Sequence, residues 1–183
     1  IAIMRRGHAS AFDVSITRDV INVPSIRYAM INKSVGYIRL IQFQKNIDVD
    51  MREAIQDLIK KGMKKLILDV RNNPGGYLLK AVAVADLFLS KGKIVSSRGR
   101  KAEVNEEYFA HKFNTVWREN KPLIILVNEA SASASEILAG AIQDTERGVV
   151  VGVKSYGKGS VQNVIQLSDG EENFGLKLTT ALY

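Results

Sequence analysis

Hydrophobic positions along this chain switch period repeatedly, from the runs and alternation of strands to the three-to-four spacing of helices. Lys65-Leu-Ile-Leu-Asp-Val70 is a nearly continuous apolar strand of the kind buried on both faces. Gly36–Phe43, the segment from Pro122 to Val127, and Gly148–Gly152 predict further strands, with a short one at Lys93–Ser97. Between the first two, Met51, Ala54, Ile55, Leu58 and Ile59 form a helical stripe. Asp50 with Glu53 three residues on suggests a capping box at its start, and Gly62 ends it. Helices are also expected over Leu78–Leu89 and after Ser133, where Ile137, Leu138, Ala141 and Ile142 fall on one face. Tyr108, Phe109, Phe113 and Trp117 are spaced as the packing stripe of an amphipathic helix within the charged stretch 99–121. Ser160–Leu167 and Gly175–Leu182 read as a hairpin around Asp169-Gly170. Strands alternating with helices make the class α/β.

Residues 1–19 stand apart. Ile1-Ala-Ile-Met4 looks like a helix end and Ala11–Thr17 alternates like one strand. Two elements cannot bury a core, so this segment reads as the tail of a domain whose remainder lies elsewhere. Residues 20–35 connect it to the main body, 36–183. A first residue other than Met and a last residue inside a strand pattern suggest an excised piece.

The length of 183 residues suffices for one well-cored domain, and 46% hydrophobic with 25% charged residues is ordinary for a globular protein. The formal charge of +7 invites a nucleic-acid reading, but the basic residues are scattered. Their tightest cluster, Lys60, Lys61, Lys64 and Lys65, brackets a helix C-terminus, where cations complement the dipole. With no cysteine the chain has no disulfide, thiolate metal site or cysteine nucleophile. His8 and His111, the two histidines, lie in polar surroundings without metal-ligand spacing, which argues against a Ser-His-Asp arrangement.

Three segments are chemically suggestive. In Val127-Asn-Glu-Ala-Ser-Ala-Ser-Ala-Ser-Glu136 a strand hands over to a helix, placing serine hydroxyls beside unpaired N–H groups and the positive end of the helix. Ser131, Ser133 and Ser135 are all candidates for a nucleophile. Gly152 to Gly159 matches a phosphate-binding loop until Gly159 replaces the magnesium-holding hydroxyl, and the strand rhythm that follows denies it a helix. Lys158, freed from that reading, shares a face with Ser160 and Gln162 if the segment is extended. Desolvated by neighbours, its amine would serve as a base with Gln162 holding it. From spacing alone, a solvated lysine beside a turn accounts for it slightly better. The turn Asn72-Asn-Pro-Gly-Gly76 occupies a parallel position after Val70. Backbone N–H groups of Gly75, Gly76 and Ala134 would suit an oxyanion hole, although the turn taken alone is an ordinary tight turn.

Taken together and in order, Leu66–Gly76, Val127–Ile137 continuing to Asp144, and Tyr156-Gly-Lys-Gly-Ser-Val-Gln162 resemble the carboxyl-terminal processing (tail-specific) proteases. The resemblance implies a crotonase-like (ClpP-like) core of βα units with an appended β-hairpin, and a serine endopeptidase cutting proteins near their C-termini. It places the nucleophile on Ser133, the general base on Lys158, its support on Gln162, and the oxyanion donors on the Gly75-Gly76 turn and Ala134. It implies a PDZ domain ahead of the core, to which residues 1–19 would be the C-terminal end. Ala9-Ser10 stands where the family usually has Gly-Thr. No metal or organic cofactor is implied. The expected partners are protein or peptide substrates with apolar C-terminal tails, with room for a regulatory partner, a homo-oligomer or peripheral membrane contact. The expected location is a bacterial periplasm or cell envelope. The competing readings are a non-catalytic binding scaffold on the same fold and a basic nucleic-acid-binding module.

Overall fold

The computed structural model describes residues 1–19, 24–169 and 172–183. In chain order its strands and helices are β1 (Ala2–Ile3), β2 (Phe12–Asp13), β3 (Ile26–Met30), β4 (Val35–Leu40), α1 (Ile47–Lys60), β5 (Lys65–Asp69), α2 (Leu78–Asp86), β6 (Lys93–Gly99) and β7 (Glu106–Phe109). They continue as β8 (Leu123–Val127), α3 (Ala134–Asp144), β9 (Val149–Gly152), β10 (Ser160–Asp169) and β11 (Glu172–Leu182). The α/β class is as the alternation predicts.

The main sheet has the order β3-β4-β5-β8-β9. β4, β5, β8 and β9 are mutually parallel, and β3 is an antiparallel edge strand on β4. Its interior strands bury Ile38, Leu40, Leu66, Leu68, Leu123 and Ile125 against Met51, Ile55 and Leu58 of α1 and Leu138 and Ile142 of α3. Each step from β4 to β9 moves the same way across the sheet. The segments after β5, β8 and β9 therefore leave from one edge, at the C-terminal ends of neighbouring strands, where open α/β sheets place their ligands.

A second sheet, β10-β11-β6-β7, is antiparallel throughout. The predicted hairpin is its β10–β11 half, with a register shift between Val161 and Gln162. The turn expected at Asp169-Gly170 falls partly outside the described residues.

Four local expectations are corrected. Ile1–Met4 is not a helix end, because Ala2 and Ile3 pair antiparallel with Asp13 and Phe12. Residues 20–35 are more than a connection, since β3 lies within them; residues 20–23 are outside the described set. Helix α1 begins at Ile47 with Asn46 as its N-cap, so Asp50 sits inside the first turn instead of capping it. Burial of Ile47 extends the apolar stripe backward by one i,i+4 step from Met51, and Asp48 and Asp50 then complement the helix dipole. Residues 99–121 hold no α-helix. They form β7 and two short 3-10 turns, Ala102–Val104 and Lys112–Asn114. Trp117 is fully buried there while Phe113 is fully exposed, so the supposed stripe is not one face.

At the end of β5, Asp69 anchors the turn that follows. Its buried carboxylate accepts from Tyr37 Oη (2.6 Å), Arg71 N and Nε (both 2.9 Å) and Arg71 Nη2 (2.7 Å). Burial alone would raise its carboxyl, but the bonds from Arg71 and Tyr37 outweigh it and hold the pKa at about 2. A depressed folded pKa contributes stability that is complete above the unfolded value and is lost as pH falls through the folded one. Acid unfolding is accordingly expected to show a loss of stability between about pH 4 and pH 2. Asp69→Asn should remove most of that slope and cost roughly 1–3 kcal/mol at neutral pH, measurable by denaturant titration.

Candidate active site

Three loops meet at the C-terminal edge of the main sheet. The loop after β5 is joined to the loop after β8 by reciprocal bonds, Asn72 N to Asn128 Oδ1 and Asn128 Nδ2 to Asn72 Oδ1, both 2.8 Å. Ala132 N donates to Asn73 O (3.0 Å) across the same seam. The segment after β9 joins through Tyr156 N to Ser131 O (3.0 Å).

The three serines are sharply different. Ser131 is fully buried, and its hydroxyl donates to Val70 O (2.8 Å) while accepting from Asn128 N (2.9 Å). Ser135 is also fully buried and donates to Asn73 O (3.0 Å). Both hydroxyls therefore fasten the β8 loop to the β5 loop. Ser133 is half-buried and its hydroxyl donates to no carbonyl among the described residues. Its backbone is strained, with φ 56° and ψ −116°, as the N-cap of α3. Such a conformation in a residue with a Cβ costs about 1–3 kcal/mol and persists only where the surroundings enforce it.

Glu136 does much of that enforcing. One carboxylate oxygen accepts from Ser133 N (2.7 Å) and Lys158 N (2.9 Å), the other from Ser155 Oγ (2.8 Å) and Gly157 N (2.6 Å). A single side chain in the first turn of α3 thus binds both the serine turn and the lysine loop. Burial would raise its carboxyl, but the bonds from Ser155, Gly157, Ser133 and Lys158 outweigh it and hold it below the usual carboxylate range. Proximity to the helix N-terminus works in the same direction.

Lys158 is half-buried on that loop, and its amine lies 3.5 Å from Gln162 Oε1. The pairing expected from alternate spacing is thus present at long range. No hydrogen bond joins Lys158 Nζ to Ser133 Oγ among the described residues. The two segments are held together through their backbones, while the side chains are not closed on one another.

The glycine turn lies directly against Ser133. Gly75 has φ +100°, and a Cβ there would sit 2.8 Å from Ala132 O, 2.9 Å from Ser133 Cβ and 3.0 Å from Ala134 N. Only glycine lets this backbone approach so closely. The Gly75 N–H, however, donates to Asn73 Oδ1 (2.9 Å) instead of facing an open pocket. The N–H groups of Gly76 and Ala134 have no acceptor among the described residues. For Ala134 this follows from its place in the first helical turn.

Two residues of this site were not assigned from sequence. Glu136 had a readable signal, because Ser133-x-x-Glu136 is a capping-box pattern. Tyr183 had none. Its N–H donates to Gly159 O (3.0 Å), which brings the end of β11 onto the lysine loop.

Residues 34–183 match peptidase family S41. The chain belongs to that family. A carboxy-terminal-processing protease of Bartonella bacilliformis is 46% identical over the whole of this chain, which corresponds to 42% of the relative. A carboxyl-terminal-processing protease of Picosynechococcus is 39% identical over 93% of this chain and 40% of the relative. Among solved structures, the photosystem II D1 C-terminal processing protease superposes with a TM-score of 0.74 and 31% identity, covering 95% of this chain and 47% of that one. This S41 peptidase chain therefore spans less than half the length of these relatives.

Proposed function

We propose that this chain is the catalytic core of a serine endopeptidase that cleaves proteins near their C-termini through a Ser133–Lys158 dyad. In its neutral form Lys158 takes the Ser133 proton as Oγ attacks the peptide carbonyl, forming a tetrahedral adduct and then an acyl-enzyme on loss of the amine. Water, with the amine again as base, releases the acid product. Gln162 holds the amine. The N–H groups of Gly76 and Ala134 receive the oxyanion, each such donor being worth roughly 2.7–4 kcal/mol of barrier. Gly75 contributes the close approach of the turn, and its own N–H would have to leave Asn73 to contribute a third bond.

The observation that carries this reading is the inequality of the serines. Ser131 and Ser135 are spent on buried structural bonds, whereas strained Ser133 shares the Glu136 carboxylate with the backbone of Lys158. A binding scaffold would have no need of that strain. Apolar side chains exposed on the loops of the site, Tyr77 and Tyr156, favour substrates with apolar residues at the cleaved end.

In the same reading the core is crotonase-like, residues 1–19 end a PDZ domain that binds apolar tails by strand addition, and the enzyme works in a bacterial periplasm or envelope. The antiparallel pairing of β1 with β2 is compatible with a sheet end of that kind. The test is covalent: a fluorophosphonate probe applied to the full-length protein should modify Ser133, located by peptide mass spectrometry. Modification confined to another residue would overturn the assignment.

A further inference from the structure

Asn73 is a fully buried amide at the start of the glycine turn, and both ends of its side chain are engaged. Its Nδ2 donates to Leu40 O at the end of β4, and its Oδ1 accepts from Gly75 N, both at 2.9 Å. Its backbone oxygen accepts from Ala132 N and from Ser135 Oγ, both at 3.0 Å. One residue thus touches β4, the glycine turn and the serine turn. Phe43 gives the glycine turn a further hold, since Phe43 N donates to Gly75 O and Tyr77 N donates to Phe43 O, both at 3.0 Å. A trans peptide sets its C=O and N–H on opposite sides, so anchoring Gly75 O on Phe43 turns the Gly76 N–H away from Phe43. For the peptide on the other side of Gly75, the only anchor among the described residues is Asn73 Oδ1. Gly75 lies at φ +100°, where glycine moves with little steric resistance, so this anchor decides how that peptide faces.

We infer that Asn73 is the positioning residue of the oxyanion hole: by clamping the Gly75 N–H it fixes the spacing between the two free donors, Gly76 N–H and Ala134 N–H. The inference rests on the Ser–Lys reading above. Donors stabilise a developing charge best when they are already in place and need no reorganisation during the reaction. Gly75 and Gly76 have no side chains with which to hold themselves still. The Asn73 amide does so from two residues upstream, as asparagine side chains do in turns. The two donor-bearing segments are in contact, since a Cβ on Gly75 would stand 3.0 Å from Ala134 N. A turned glycine peptide therefore alters the space between them. Asparagine suits the place because it supplies an acceptor for Gly75 N and a donor for Leu40 O at once. Both Gly75 and Leu40 are buried, so an apolar side chain here would leave two backbone groups unpaired.

The experiment compares Asn73→Ala and Asn73→Ser in the full-length protein, with Ser133→Ala as the control. Neither substitution at 73 removes the backbone oxygen that binds Ala132 N and Ser135 Oγ. Asn73→Ala should lower kcat about 10²-fold with KM within twofold, the size expected for a misplaced oxyanion donor. A serine hydroxyl can accept from the N–H two residues on, more weakly than the amide, so Asn73→Ser should recover about tenfold of that loss. A peptide boronate, which forms a tetrahedral adduct on Ser133, should bind Asn73→Ala more weakly by the same factor as kcat, while a product peptide binds as it does to the wild type. Wild-type kcat in Asn73→Ala would overturn the inference. So would boronate and product affinities falling together, or Asn73→Ser performing no better than Asn73→Ala. If Asn73→Ala does not fold, Asn73→Ser decides: a kcat about tenfold below wild type with KM unchanged supports the inference, and wild-type kcat overturns it. If Ser133→Ala retains cleavage, the Ser–Lys reading itself fails. If Ser133→Ala is inactive and Asn73→Ala keeps wild-type kcat, only the role of Asn73 fails.

Discussion

Lys158→Ala should lower kcat by about 10⁴-fold while leaving the fold and the substrate KM nearly unchanged. The lysine side chain makes no salt bridge among the described residues, and its one polar contact is the 3.5 Å approach to Gln162. Removing it therefore has little to take from stability. Its backbone N–H, the group that fastens the loop to Glu136, survives the substitution. The loss then falls on proton transfer. Groups that act as a unit are strongly non-additive, so Ser133→Ala combined with Lys158→Ala should be no slower than the worse single variant. Steady-state kinetics on both single variants and the double variant checks both points. Additive losses would separate the two residues into different roles.

The second large effect is expected at Glu136. Glu136→Gln keeps the size but replaces one acceptor oxygen by an NH2 group that faces N–H donors. Either the bonds from Ser133 N and Lys158 N or the bond from Gly157 N are lost, since of the four partners only the Ser155 hydroxyl can turn to accept from the amide. Hydrogen bonds to a charged group contribute about 1.5–3 kcal/mol each, so both geometry and stability suffer. The serine turn and the lysine loop are then no longer fixed to one point. Misplacement by about 1 Å at a reacting centre costs on the order of 10²-fold, and kcat should fall by at least that amount. The depressed carboxyl gives a pH signature as well. Its stabilising contribution is present above the ordinary glutamate range and lost as pH falls through the lower folded value, so Glu136→Gln should flatten the acid side of the stability curve. A variant with unchanged kcat and an unchanged acid limb would mean that the four bonds are incidental.

How much of this was legible in the sequence depends on how local the cause was. Strands β5 and β8 announce themselves because both are buried interior strands with almost no polar interruption. Helix α3 is legible from the period of Ile137, Leu138, Ala141 and Ile142, each of which is buried. Strand β7 was misread because its identity comes from pairing with β6, and four aromatic residues imitate a helical stripe without sharing an environment. Strand β3 was missed for a related reason. Three of its five residues, Arg27, Tyr28 and Ala29, are exposed, and it is fixed chiefly by its ladder with β4.

At the site, the residue types and their order were legible, but their meeting was not. Asn72, Asn128 and Tyr156 converge only because β5, β8 and β9 are consecutive and parallel in the sheet, which no spacing along the chain encodes. Spacing alone left three serines open, and that the hydroxyls of Ser131 and Ser135 are consumed by Val70 O and Asn73 O is visible only in the fold. Glu136 had a local signature that reads as helix capping, and its reach to the lysine loop is purely tertiary. Gly75 shows the opposite case: its place in a glycine turn was readable, yet the direction of its N–H was set by the Asn73 side chain.

The central claim is that Ser133 performs the bond cleavage. It is tested most directly by comparing wild-type full-length protein and Ser133→Ala on an unstructured substrate with an apolar C-terminus, with products followed by mass spectrometry. The wild type should release fragments cut near that end, and Ser133→Ala should release none above the uncatalysed background. Equal cleavage by the two proteins would contradict the claim.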